Sequence, residues 1–307
     1  MVIIMTKHKN LRMNKVSYAS EAIFHIIVGA FALMCIIPFI FIIIIAFSSA
    51  ESLRTIGYSF FPMGTTTVNF NAAFEMGGLL WRSFGNSIFI TVVGTFLALA
   101  ISSMYAYGLY RSNYPLKKFF MFLMFFTMIF GGGLVPFVIV IRNLLGIADT
   151  IWALIVPMLM APFHVIILRT FYRTCIPESL LDAANIDGAG EFRTFFMIVI
   201  PLSKPGLATI GLMTAIGFWN DWWHALLFIR DRSLIPLQFL LMEMQRNIDF
   251  IRRHAAMIGE ANIQLADLPT QGLRMALAVI IVVPIAFAYP FFQRYIISGM
   301  TIGAVKE

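Results

Sequence analysis

Few side chains in this sequence are placed to do covalent chemistry. The five histidines, His8, His25, His164, His224 and His254, are scattered, and no pair has metal-ligand spacing. There is no Gly-rich phosphate loop, no His-Glu-x-x-His helix and no nucleophile beside a base, so no catalytic residue, metal or cofactor is expected on this chain. Cys35 and Cys175 lie far apart, one in an apolar run and one in a polar segment, and make no disulfide framework. Two groups remain whose chemistry is recognition. One is the polar run from Ile176 to Gly190, which includes Leu181, Asp182, Ala183, Ala184, Asp187, Gly188 and Ala189. The other is the aromatic cluster Trp219, Trp222 and Trp223, with Asn220 and Asp221 among them.

The first group reads as a short helix. Pro177 suits a first turn, Glu178 suits the positive end of the helix dipole, and Gly188 suits the left-handed residue past a helix end. About ten residues make a helix of about 15 Å, too short to cross a bilayer. Leu181, Ala184 and Gly188 share a face, and Ala183 and Ala184 keep bulk low, which suits docking into a cleft of another protein. Gly188 also permits a sharp turn into a following helix that begins near Glu191. In the second group the tryptophan faces could stack on sugar rings along a substrate path. The aromatic belt at membrane interfaces enriches tryptophan at the same depth, so both readings stay open. His164 stands between pore contact and packing in the same way.

These groups need elements to hold them, and composition says in what solvent. The 307 residues are 60% hydrophobic and 12% charged, with a mean hydropathy of +0.87. A soluble domain carries about 25% charged residues. Runs free of Lys, Arg and Glu cover residues 22–47, 84–110, 119–141, 150–168, 205–229 and 275–293, with Asp221 the one acid among them. Each approaches or exceeds the roughly 20 residues that cross a bilayer as a helix, and the first is too long for a signal core. Alternating short strands of a barrel are missing. The expected fold is therefore all-α with six transmembrane helices. It comprises a tail at 1–20 and one transmembrane domain at 21–307.

Orientation follows from basic residues. With both termini cytoplasmic, thirteen of the 22 Lys and Arg fall inside, including Lys7, Lys9, Arg12, Lys15 and Lys306. Most of the outside set lies in one long segment from Asp221 to Arg274, where Arg246, Arg252 and Arg253 could dock an extracellular protein or simply be solvated. The net charge of +7 belongs to this asymmetry, and no nucleic-acid partner is expected. Helix breakers fall in three of the spans: Gly131, Gly132, Gly133 and Pro136 in the third, Pro157 and Pro162 interrupting the fourth, and Pro201 and Pro205 opening the fifth. Broken backbone at membrane depth survives beside protein or a water-filled path, so these breaks face a pore or kink a packed bundle. An ion-driven transporter would place ionisable groups within spans and often carries inverted repeats, whereas these runs hold no Lys, Arg or Glu and only Asp221 at a rim, which argues against that class.

The order Asp182-Ala183-Ala184, Asp187-Gly188-Ala189, Ile200-Pro201-Leu202 and Pro205 resembles the EAA motif of ABC importer permeases. Asp182 replaces the usual Glu, keeping the charge on a shorter side chain. Gln293-Arg294-Tyr295 and the tail Ser298 to Lys306 are similar to the MalG-type carbohydrate permeases. Phe130-Gly131-Gly132-Gly133-Leu134-Val135-Pro136 and Trp219-Asn220-Asp221-Trp222 look like the LplC/YtcP-like subgroup, which imports complex oligosaccharides in Gram-positive bacteria. The resemblance covers nearly the whole chain beyond about residue 20. It implies the type I importer permease fold in the cell membrane, and a cytoplasmic coupling helix made by 176–190. It further implies a second homologous permease, two cytoplasmic ATPase subunits that bind ATP and Mg, and an extracellular solute-binding protein.

Overall fold

The computed structural model describes residues 18–111, 114–253 and 271–304. The basic tail residues Lys7, Lys9, Arg12 and Lys15, with His8, His254 and Lys306, lie outside them. Among the described residues there is no β-strand, only one isolated bridge between Ser48 and Thr65. The helices are α1 (Tyr18–Ala46), α2 (Ala50–Thr55), α3 (Val68–Glu75), α4 (Gly78–Tyr110), α5 (Lys117–Ile129), α6 (Leu134–Ile139), α7 (Trp152–Ile155) and α8 (Pro162–Cys175). They continue as α9 (Glu178–Ile186), α10 (Glu191–Thr194), α11 (Ile200–Leu202), α12 (Lys204–Trp219), α13 (Trp223–Phe228), α14 (Leu237–Arg253) and α15 (Gln271–Ala304).

Three helices are long and apolar enough to cross a membrane unbroken: Ser20–Ala46 within α1, all of α4, and Gln271–Phe291 within α15. Three bent pairs bring the number of spans to as many as six. Here the chain departs from six simple runs. The run at 119–141 is not one helix, because α5 ends at Ile129 and the next helix leaves at 116°. Gly131, Gly132 and Gly133 separate the two halves, and Gly133 holds φ at +82°, a region open to glycine at little cost. The run at 150–168 breaks between Met158 and Pro162 with a 49° bend, and its second half extends to Cys175. The run at 205–229 stops as a helix at Trp219 and resumes as α13 at Trp223, while Glu191–Leu202 joins α12 across an 82° bend at Ser203. The three sharp bends have a proline or glycine within or beside them (Gly131 to Gly133, Pro162, and Pro201 with Pro205), residues that weaken the i to i−4 ladder.

The core forms around α4. That helix packs along α12 and α8, and α12 packs in turn on α15, which carries α1 and α3. Contact between α4 and α12 depends on small residues. A Cβ on Gly94 would lie 2.7 Å from the ring of Phe218, and one on Gly211 would lie 3.1 Å from Leu99. Small residues let membrane helices approach closely, where packing replaces the hydrophobic effect as the driving force. One buried cluster, with Leu80, Ile90, Phe218, Leu237 and Leu277, joins α4, α12, α14 and α15. A second, with Tyr110, Leu168, Tyr172, Ile176, Leu181 and Phe195, joins the other end of α4 to α8 and α9. Residues 20–40 of α1 are exposed throughout, as expected for a helix that lipid or another subunit covers.

Candidate functional site

The run 176–190 forms one short helix, α9, with Pro177 as its extended N-cap residue rather than inside its first turn. Its C-terminus closes as a Schellman motif. The Gly188 N–H donates to Asn185 O at 3.0 Å, and the Ala189 N–H donates to Ala184 O at 2.9 Å. This closure needs a left-handed residue after the Asp187 cap, and Gly188 supplies it with φ at +75°. α10 begins at Glu191, where the glycine turn directs it.

The helix has two faces with different commitments. Leu181 and Ala184 turn inward, at 1% and 7% exposure, so these two hold α9 to its own chain and do not present a docking surface. Asp182, Ala183, Asp187 and Gly188 are exposed, and Ala189 is half-buried. Leu180 and Ile186 join the outward face, Ile186 at 86% exposure, which is unusual for an isoleucine on a helix that already has an apolar face to bury.

The last turn of α4 grips the segment at both flanks. Before it, Tyr110 Oη donates to Ile176 O at 2.7 Å. After it, Glu191 receives three donors on its two oxygens. Tyr107 Oη reaches Oε2 at 2.5 Å, while Arg111 Nη2 and Nε reach Oε1 at 2.7 and 3.1 Å. Arg169 Nε adds a bond to Leu109 O at 3.2 Å, fastening α8 to the same turn. Beside the Arg111–Glu191 pair lies a cleft of about 410 Å³ walled by Met104, Gly108, Tyr114, Phe192 and Phe195. Sequence assigns no site role to Tyr107, Tyr110, Arg111 or Glu191. Their partners lie 66 to 84 residues away, and only the hydroxyl of a tyrosine near a helix end hints that it needs one.

At the opposite end of α4, Asn86 Nδ2 donates to Ser233 O at 2.8 Å, and Ser87 Oγ accepts the Leu237 N–H at 2.8 Å. The aromatic group is near this end of α12. Trp219 is 7% exposed and its indole N–H donates to Ile281 O at 3.2 Å, so it packs α12 against α15 while lining a narrow apolar groove with Thr91 and Tyr289. Trp222 is half-buried, edge-on to the 43% exposed Trp223. Asn220 turns its amide back onto Ile216 O at 2.9 Å, and His164 Nδ1 meets Thr214 Oγ1 at 3.3 Å. Asp221 is paired with His224 at 2.9 Å. Nearby, Asp149 clasps the loop after α13 by accepting the N–H groups of Arg230 and Asp231 at 2.8 and 2.9 Å. The Asp231 and Arg230 N–H bonds pull the Asp149 carboxyl below its ordinary value of 3.8. Among the described residues no group of His, Cys, Asp or Glu could hold a metal.

Three likenesses bear on this arrangement. Residues 98–302, which include α9 and the end of α4 that grips it, match the family described as binding-protein-dependent transport system inner membrane component. The chain is 38% identical over 278 residues to Protein LplC of Bacillus subtilis, covering 91% of this chain and 92% of that one. It is 34% identical over 276 residues to the polygalacturonan/rhamnogalacturonan transport system permease protein YtcP of the same organism, covering 90% and 94%. Among solved structures, it is similar to a chain of a bacterial ABC transporter involved in the import of the acidic polysaccharide alginate. The TM-score is 0.75, with 27% identity over 91% of this chain and 96% of that one. With a helical bundle of up to six spans and a match over two thirds of its length, this chain belongs to the family of binding-protein-dependent transport system inner membrane components.

Proposed function

We propose that this chain is one of two permease subunits forming the pore of an ATP-driven importer of complex oligosaccharide. The supporting observation is α9: a short helix with an exposed Ile186, Asp182 and Asp187, anchored at both flanks to a membrane-crossing helix. A helix built to be held on one face and offered on the other suits a partner that pushes on it. In this reading α9 docks into a cytoplasmic ATPase subunit, a second ATPase takes the equivalent helix of a homologous permease, and ATP with Mg is bound by those subunits. The termini are cytoplasmic, and an extracellular solute-binding protein meets the opposite face around α14. Carbohydrate as cargo is supported by YtcP and by the alginate transporter. Trp223 and the rim of Trp222 remain the candidates for sugar stacking, since Trp219 and His164 are engaged within the chain.

Affinity purification of the tagged chain from its native membrane tests the reading. A second permease and an ATP-hydrolysing subunit should come with it, and the chain by itself should hydrolyse no ATP. Recovery of the chain without any ATPase, or turnover by the chain free of contaminating ATPase, would defeat the assignment.

A further inference from the structure

We propose that Tyr107, Arg111 and Glu191 form a positioning latch that makes α4 the rod through which the coupling segment and the outer face influence each other; the inference rests on the docking role proposed for α9. Between its two anchors the segment spans residues 177–190, with only Leu181 and Ala184 buried. A push on its exposed face must therefore carry the last turn of α4 with it or break the bonds to Glu191 and Ile176. Those at Glu191 are charge-assisted and include a two-nitrogen grip by Arg111, the stronger class of hydrogen bond. Glu191 is half-exposed, so the latch is accessible to rearrangement in a way that a core contact is not.

The other connections of the segment bend. α8 is separated from its preceding half by a 49° break, and the helix after Glu191 meets α12 across an 82° break at Ser203. α4 is a single helix of 33 residues without proline, about 50 Å long at 1.5 Å per residue. Its far end holds the turn that enters α14, through Asn86 to Ser233 O and Ile235 O and through Ser87 to the Leu237 N–H. One stiff element thus touches the segment inside and the segment outside. Coupling between such sites is reciprocal, so nucleotide at the ATPases should alter the outer segment as much as the outer segment alters nucleotide binding.

The experiment uses the complete complex, with its partner permease and ATPases, in proteoliposomes. Cys35 and Cys175 are replaced by serine, and Arg246→Cys on the exposed side of α14 provides a thiol for an impermeant maleimide. The labelling rate is read with and without a non-hydrolysable ATP analogue plus Mg, alongside ATPase content. In the parent complex nucleotide should change the rate by about fivefold or more, the lower end of typical site-to-site coupling. Glu191→Gln and Asn86→Ala should each remove most of that response with the ATPase still bound. The double variant should be no worse than the single ones, since both interrupt one element. Tyr107→Phe should act in the same direction as Glu191→Gln. A parent complex without a nucleotide response, a full response in Glu191→Gln, or additive losses in the double variant would each overturn the latch. Loss of the ATPase in Glu191→Gln would also overturn it, assigning the residue to assembly. A parent complex that contains no ATPase would instead defeat the docking reading beneath it.

Discussion

At the scale of the residue, the docking role proposed for α9 turns on the backbone at Gly188. Gly188 holds φ at +75°, and a Cβ there would meet nothing within 4 Å, so the cost of a side chain is backbone strain alone. For a β-branched residue that strain is about 1–2 kcal/mol. Gly188→Val should leave the chain inserted at normal abundance while sugar uptake and ATPase co-purification fall sharply. Asp187→Ala should show the same effect more mildly, and Ser17→Ala, outside the described residues, should be silent. Normal uptake by Gly188→Val with the ATPase attached would remove α9 from the docking role. Asp149 gives a second test, in pH. It is a non-glycine residue with φ at +58°, and its carboxylate caps two N–H groups that hold its proton affinity down. A depressed folded value means that the clasp contributes fully above the ordinary value of 3.8 and is lost as pH falls through the depressed one. Asp149→Asn should therefore lower the melting temperature in detergent near neutral pH and reduce its decline below about pH 4. Asp149→Ala should cost more, because alanine offers no acceptor and tolerates the left-handed region poorly. An unchanged acid profile in Asp149→Asn would show that the carboxylate is not the group responsible.

At the scale of the element, the contact between α4 and α12 decides how the bundle closes. Phe218 is 2% exposed and sits where a Cβ on Gly94 would be. Gly94→Ala should overpack this contact and destabilise the chain by about 1–3 kcal/mol, read as a lower melting temperature of the purified protein. Adding Phe218→Leu should recover part of the loss by removing the ring that clashes. If Gly94→Ala melts like the parent chain, the close approach of the two helices is not what limits stability. The broken elements have another logic. The glycines at 131–133 let the chain turn through 116°, so one hydrophobic run becomes two differently directed helices. Hydrophobicity alone describes such a run as one span, because lipid or protein can cover either arrangement.

At the scale of the whole molecule, the basic-residue asymmetry and the position of α9 make one statement about orientation. In a background lacking Cys35 and Cys175, Asn10→Cys, Leu180→Cys and Ala304→Cys should resist an impermeant thiol reagent in intact cells. Ile248→Cys, in α14, should react. Leu180 is 40% exposed, so protection at this position reports sidedness rather than burial. Labelling of Leu180→Cys from outside would reverse the orientation and remove α9 from the cytoplasm. The rod proposed for α4 belongs to this scale as well, since in the proposed orientation it joins two surfaces on opposite sides of the membrane.

What the sequence determined by itself was whatever depends on composition and local order. Long runs without charge require helices in lipid, since no water is present to satisfy the backbone. Pro177, Glu178 and Gly188 marked a short helix, because capping and left-handed turns are decided within a few residues. The Asp187-Gly188-Ala189 order is legible for the same reason: it encodes a Schellman closure that no distant residue needs to supply. Tertiary structure alone decided which face of that helix is free. Leu181 and Ala184 share a face with Gly188 by spacing, yet they are buried, and Leu181 sits in a cluster where the distant Tyr110 meets Tyr172 and Phe195 of the flanking helices. It also decided that Trp219 serves packing, through a bond to Ile281 O across 62 residues, and that Glu191 belongs with Tyr107 and Arg111. A single sequence carries no mark of such pairs. A buried polar group needs some partner, but only the packing of α4 against its neighbours determines which one it finds.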